Sequence, residues 1–256
     1  MKVSIITSCF NRAGTIASTI ESVLGQDYAD IEYIVVDAAS TDGTLEIVRS
    51  YADRIAHITS EPDNGIYEGL NKGLRLATGD IVGILHSDDV FYANDTVARI
   101  VEELVRTGAD LIYGNGIFVK SSDENYVVRD WISGGYVRNN IAKGWLPLHT
   151  TCFVRRSVFS RVGYYDESYK ISADTDWLIR CLYVNSLRVA YLDDYVVRMR
   201  MGGASTSFRQ MKRKWKEDYA IYHKHGIGRL IPLSLKIASK IPQFVKARLK
   251  RYLKKI

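Results

Sequence analysis

The apolar run Ile81-Val82-Gly83-Ile84-Leu85 passes directly into His86-Ser87-Asp88-Asp89, so two adjacent carboxylates stand where a buried strand meets solvent. Such a strand tolerates Asp poorly, and an acidic pair at its carboxyl end belongs in the crevice above an open α/β sheet, where ligands bind. Hard oxygen ligands there suit Mg²⁺ or Mn²⁺ held against a diphosphate. The competing reading is local: Asp88 and Asp89 cap a helix beginning near Asn94, or form a turn. A second acidic pair, Asp174 and Asp176, falls at the first turn of a segment whose Trp177, Leu178, Cys181 and Leu182 recur with helical spacing. Carboxylates at that position cap a helix and complement its dipole. The same geometry would also hold one of them outward and anionic, ready to take a proton from a sugar hydroxyl.

The elements that must position these groups begin at the amino terminus. Val3-Ser4-Ile5-Ile6-Thr7 reads as a strand, followed by Ser8-Cys9-Phe10-Asn11-Arg12 and a helix with Ile16, Ile20, Val23 and Leu24 on one face. The second unit repeats the design: strand Tyr33-Ile34-Val35-Val36 ends at Asp37, and residues 38–44 turn into a helix around Leu45, Ile47 and Val48. Strand, helix, strand, helix with short connections predicts a Rossmann-like α/β fold with a mostly parallel central sheet and right-handed crossovers. Phe10, Asp37 and Asp88/Asp89 then line one crevice. Phe10 can stack on a base and Asp37 can accept an imide N–H, although an aromatic after a strand also packs in a loop and Asp37 with Asp42 also makes turns. Neither G-x-G-x-x-G nor G-x-x-x-x-G-K-[ST] occurs, so dinucleotide and P-loop chemistry lose their sequence support.

With these motifs in order, the chain resembles a family. Residues 5–12, residues 34–44, Asp63-Asn64-Gly65-Ile66-Tyr67 with Asn71-Lys72-Gly73, and Ser87-Asp88-Asp89 succeed one another as in the inverting family 2 glycosyltransferases of the GT-A fold, over roughly residues 3–205. Bacterial polysaccharide-assembly enzymes look most similar, through residues 60–67. The resemblance implies that Thr7, Phe10, Asn11, Asp37 and Asp88 bind the nucleotide-sugar donor, that Asp89 is the metal ligand, and that Asp174 is the catalytic base. It places Asp63, Asn64, Asn71, Lys72, His149, Asp176 and Arg200 as candidates for donor or acceptor binding. Asp176 is the rival of Asp174, as a cap or an acceptor-binding residue. The chain departs from the D-x-D spelling, because Ser87 stands two residues before Asp89. The implied reaction is an inverting displacement: an acceptor hydroxyl, deprotonated by Asp174, attacks the anomeric carbon of a UDP- or dTDP-sugar opposite the diphosphate, with Mg²⁺ or Mn²⁺ on Asp89.

Other segments carry less. His149, in the Gly144–Phe153 loop, can touch diphosphate or acceptor, yet a single loop histidine is usually structural. Residues 198–205, with the Gly202-Gly203 pair, read either as a segment over the donor or as a hinge. With 46% hydrophobic residues in 256, the chain can bury the core of one catalytic domain, expected over residues 1–208, with a nucleotide-sugar half at 1–92 and an acceptor half at 93–208. Cys9, Cys152 and Cys181 are scattered and odd in number, which argues against a disulfide framework and for a reducing, cytoplasmic setting, and no leader precedes the first strand.

Charge is uneven. Residues 209–256 carry a net +13 while the remainder carries −7. Within this tail Leu230, Leu233, Ile237, Ile241, Phe244, Leu249, Tyr252 and Ile256 recur at helical spacing between basic residues, as in an amphipathic helix on an anionic membrane surface. Lys236, Lys240 and Lys246 interrupt any spanning window. Nucleic acid is disfavoured because the aliphatic stripe needs an apolar partner; a third reading packs the stripe on the catalytic domain or on a second copy in a homodimer. The leading function is therefore transfer to a glycan or lipid-linked glycan at the cytoplasmic membrane face. A sugar-nucleotide nucleotidyltransferase would need a glycine-rich basic loop, of which residues 9–12 are a poor version, and a non-catalytic scaffold would have no use for these aspartates.

Overall fold

A computed structural model describes residues 1–202, 208–228, 234, 242–245, 247 and 248. The first half alternates as its hydrophobic periods dictate: β1 (Val3–Cys9), α1 (Ile16–Leu24), β2 (Ile31–Asp37), α2 (Thr44–Arg49), β3 (His57–Ser60), α3 (Ile66–Leu76) and β4 (Ile81–Ile84). The second half continues with β5 (Asp89–Phe91), α4 (Thr96–Thr107), β6 (Leu111–Lys120), β7 (Asp123–Trp131), α5 (Arg138–Ile141), β8 (Phe153–Arg155), α6 (Ser157–Val162), α7 (Ala173–Ile179), β9 (Val189–Arg200) and α8 (Phe208–Lys224). The sheet order is β3-β2-β1-β4-β8-β6-β9-β5, with β7 on β6. The β3-β2-β1-β4 block is parallel, as the crossover pattern predicts, and β6 runs parallel to β9. β5, β7 and β8 join antiparallel, so the second half of the sheet is mixed.

Strand parity divides the core in two. Val3, Ile5 and Cys9 of β1 pack with Ile16 and Ile20 of α1 and Ile100 of α4, whereas Ile6 packs on the opposite face with Leu70 and Leu74 of α3 and Trp177 of α7. Helix α3 lies hard against β1 because Gly69 and Gly73 face it: a methyl at Gly69 would collide with Ser8 and Asp63, and one at Gly73 with Ile6. That close approach brings the α3 amino end to the carboxyl ends of β1 and β2.

The boundary expected at residue 208 is revised. Ile221 and Tyr222 of α8 and Ile227 beyond it are buried in the same core as α3 and α7, and Glu217 of α8 accepts from the backbone N–H groups of Lys170, Ile171 and Ser172. The high density of Lys and Arg on α8 conceals an apolar and acidic inner face. Farther along, Gln243 and Phe244 pack on β7: Arg129 Nε donates to Gln243 Oε1 at 2.6 Å, and its guanidinium stacks on Trp131 and Phe118 and lies near Phe244. Of the tail stripe, Leu230, Leu233, Ile237, Ile241, Leu249, Tyr252 and Ile256 lie outside the described residues, as do Gly203, Ala204 and Ser205. No helix among the described residues is long and apolar enough to cross a membrane.

Candidate functional site

β4 ends at Ile84, and the turn after it delivers Asp89 as the first residue of β5. Asp89 is 1% exposed. Its Oδ1 accepts from the backbone N–H of Arg200 at 3.3 Å, while Oδ2 is buried with no partner among the described residues. Burial, and then the charge of Asp88, push this carboxyl well above the usual carboxylate range. Nothing local justifies such a group, because an unpartnered buried oxygen costs about 1–3 kcal/mol. A cation would satisfy it. The neighbouring Asp88 is half-buried and its carbonyl accepts from Arg200 Nη1 at 2.8 Å. Arg200 closes the turn further, donating from Nη2 to Ser18 Oγ and pairing with Glu124 of β7. Asp88, Asp89 and Arg200 thus come together as expected. Neither aspartate caps the helix near Asn94; α4 begins at Thr96 after Asp95. No group of three or more His, Cys, Asp or Glu side chains forms a metal cage among the described residues, so a divalent ion here would take its remaining oxygens from diphosphate and water.

The loops after β1 and β2 are stitched to each other. Asn11, at φ 52°, accepts from the N–H of Thr41 and donates its own N–H to Ser40 Oγ; Arg12 N–H donates to Thr44 Oγ1, and Ala13 N–H to Asp42. Phe10 stands 56% exposed at the crevice, free to stack. Asp37 and Thr7 differ from expectation. Asp37 is fully buried, accepting from Ser60 Oγ at 2.7 Å and the Ser40 N–H at 3.0 Å on Oδ2 and from the Cys9 thiol on Oδ1. It shapes the pocket floor and has no surface at which to meet a base. Thr7 shares the inner face of β1 with Val3 and Ile5, and its hydroxyl donates to the Leu85 carbonyl and accepts from Tyr33, so it does not reach the crevice. Asp63 sits beside Ser8 and Gly69, with its carboxyl pushed up by burial.

Asn64 and Lys72 belong to a local network with Glu61 and Glu68, while Asn71 is an interior tie. Asn64 donates to Glu68; Lys72 bonds Glu61, Glu68 and the Pro62 carbonyl; Asn71 is 1% exposed and holds Tyr165 and Glu167 through both ends of its amide. Asn71 thereby fastens α3 to the segment leading into α7.

Asp174 and Asp176 separate cleanly. Asp176 is fully buried, paired with Arg180 Nε at 2.8 Å and Lys224 Nζ at 3.1 Å and hydrogen-bonded with His225 Nε2 at 2.8 Å. Burial alone would raise its pKa, but these hydrogen bonds and charges hold it well below the usual carboxylate range. It is an interior tie between α7 and α8, which corrects the expectation that it caps α7 or touches an acceptor. Its partners Lys224 and His225, and Glu217 beneath the same helix, were not foreseen; only the acidic dipeptide Glu217-Asp218 inside a basic stretch hints at them. The Asp174 side chain keeps 26% exposure. The Tyr67 hydroxyl lies 3.2 Å from its Oδ1, and His149 Nδ1 lies 3.9 Å from its Oδ2. His149 in turn packs on His86, ring centroids 5.2 Å apart, and the carbonyl of His86 accepts from the N–H of Asp89. Two imidazoles therefore connect the α7 carboxylate to the acidic turn. Burial lowers both: His86 is pushed down to about 3, with His149 adding to the effect, and His149 is lowered in the same direction.

The acidic turn after β4 and the α7 carboxylate, connected through His86 and His149, stand on a half-parallel α/β sheet of GT-A architecture. Residues 4–163 match the sequence profile described as Glycosyl transferase family 2, and the chain belongs to that family. It is 30% identical over 209 residues to a PGL/p-HBAD biosynthesis glycosyltransferase of Mycobacterium tuberculosis strain H37Rv, covering 80% of this chain and 79% of that one. A glycosyltransferase of Rickettsia typhi is 29% identical over 214 residues, covering 80% and 65%. Among solved structures, S. aureus TarS 1–349 with UDP-GlcNAc superimposes with a TM-score of 0.69 at 19% identity, covering 89% of this chain and 66% of that one. The mannosyltransferase PcManGT of Pyrobaculum calidifontis, with GDP-Man and Mn²⁺, gives a TM-score of 0.66 at 22% identity, covering 96% and 73%.

Proposed function

We propose that this glycosyltransferase moves a sugar, with inversion, from a UDP- or dTDP-sugar to a hydroxyl of a glycan or lipid-linked glycan in cell-surface polysaccharide or glycolipid assembly. The observation that carries the reading is the buried, unpartnered Oδ2 of Asp89, a carboxylate oxygen prepared for a cation and linked through His86 and His149 to Asp174. Relatives support the classes involved: TarS and PcManGT were solved with UDP-GlcNAc and with GDP-Man and Mn²⁺, and the mycobacterial relative is named for PGL/p-HBAD biosynthesis.

In this reading Phe10 stacks on the base, with Asp37 orienting Ser40 and Ser60 beneath it, and Asp88 holds the ribose. Asp89, with Asp88 beside it, would hold Mg²⁺ or Mn²⁺, which supplies charge neutralisation for the departing diphosphate. Asp174 accepts the proton of the attacking hydroxyl as the new C–O bond forms on the face opposite the breaking bond. Asp176 has no surface from which to do so. The basic tail gives the enzyme an attraction for an anionic membrane surface, supported by the net +9 of residues 229–256 and the aliphatic stripe, and by a cytoplasmic setting consistent with three free, buried cysteines. A panel of nucleotide sugars scored by thermal shift with Mn²⁺ and with EDTA tests the donor class, since a true donor raises Tm by mass action. No shift with any uridine or thymidine diphosphate sugar would overturn it.

A further inference from the structure

His149 lines a small, mostly apolar cavity with Val82, Ile84, Val154, Tyr165 and Trp177, among others. Its Nδ1 faces Asp174 Oδ2 at 3.9 Å, longer than a hydrogen bond but within the range that closes when a substrate complex forms. Its Nε2 is buried with no partner among the described residues. The other groups facing the ring are His86, the edge of Tyr165 and, electrostatically, Lys214 of α8. None of these gives Nε2 an acceptor.

A neutral imidazole carries one proton, and the two tautomers are unequal here. With the proton on Nε2, an N–H is buried without an acceptor, and the lone pair of Nδ1 is turned toward a carboxylate. With the proton on Nδ1, the N–H is turned toward the carboxylate, and the unpartnered Nε2 carries a lone pair in place of a buried donor. On the other side of Asp174, the single proton of Tyr67 is shared between the Ile171 carbonyl at 2.7 Å and Asp174 Oδ1 at 3.2 Å, and the nearer acceptor takes the larger share. The bond from Tyr67 to Asp174 Oδ1 is the longer of its two, and His149 faces the other carboxylate oxygen.

We propose that His149 is a positioning residue for Asp174, its Nδ1–H donating to Oδ2 and holding the carboxylate aligned with the acceptor hydroxyl. The proposal rests on Asp174 as the base and goes beyond it. Phenylalanine fills the space of the ring without the N–H, so His149→Phe is expected to lower kcat about 10-fold or more with the donor KM unchanged. His149→Asn, whose amide N–H can occupy the place of Nδ1–H, should recover most of that loss. In an Asp174→Asn background, His149→Phe should cost nothing further, because a residue acting through the carboxylate cannot be lost twice. Independent, multiplicative losses would overturn the proposal, as would a kcat for His149→Phe within about twofold of the parent. If Asp174→Asn alone retains full turnover, the base assignment itself fails, a result distinguishable from failure of the histidine alone.

Discussion

Replacing Asp176 by Asn removes the carboxylate that joins α7 to α8 while keeping its shape. The side chain has no exposure, and its closest partners are themselves covered, Arg180 at 17% and His225 at 10%. Lys224, at 45%, is screened by water and adds little. Arg180 would keep its bonds to the Val162 and Tyr164 carbonyls but lose its counter-charge. Breaking a buried ion pair from one side costs about 3–5 kcal/mol. At about 2–4 °C per kcal/mol for a chain of this size, Tm should fall about 6–20 °C. The pH dependence has a definite sign. The folded carboxyl is depressed, so its stabilisation is complete above the unfolded value of about 3.9 and is lost as pH falls toward the folded one. The gap in Tm between parent and variant should thus be constant above about pH 5 and narrow below about pH 4. Differential scanning calorimetry across that range measures it, with turnover assayed well below both transitions. A variant that melts with the parent yet fails to turn over would place Asp176 in the chemistry and refute this account of α7.

Asp174→Asn, nearly isosteric, should leave Tm and donor affinity in place while lowering turnover by roughly 10² or more, measured under saturating donor. Asp89→Asn should melt no lower than the parent in EDTA: its folded pKa is raised, so the parent loses stability as pH climbs above about 3.9, and the variant's advantage at pH 7 should vanish near pH 4. A drop of about 4 °C or more, roughly 1–2 kcal/mol for a chain of this size, would reveal a partner for that oxygen. Removing residues 229–256 should release the protein from anionic vesicles at low salt while preserving metal-dependent nucleotide binding; equal co-sedimentation would remove the membrane role, and loss of folding or dimerisation would favour packing of the tail instead.

Much of the first half was legible because its signals are local. The runs at 3–7, 33–36 and 81–85 are apolar and β-branched, and each ends in polar turn residues, so β1, β2, β4 and the position of Asp88/Asp89 follow from a few residues at a time. The misplacement of Thr7 was avoidable, since odd-numbered positions of β1 share one face with Val3 and Ile5. Asp37 could not be resolved that way, because its enclosure depends on Ser60, a residue of another strand. The parallel pairing of β6 with β9 joins residues nearly eighty positions apart, and no local pattern announces it. The role of α8 was hidden for a similar reason. Glu217, Lys224 and His225 look like parts of a solvated basic helix until α7 is set against them, and only then does Asp176 become interior.

The central claim is that Asp89 holds the metal that receives the donor diphosphate, and thermal shift of the parent and Asp89→Asn with UDP, with Mn²⁺ or with EDTA, tests it most directly. The account predicts that UDP raises the Tm of the parent only when Mn²⁺ is present, and leaves the folded Asp89→Asn variant unmoved in either condition. An equal, Mn²⁺-dependent rise in the variant would contradict it.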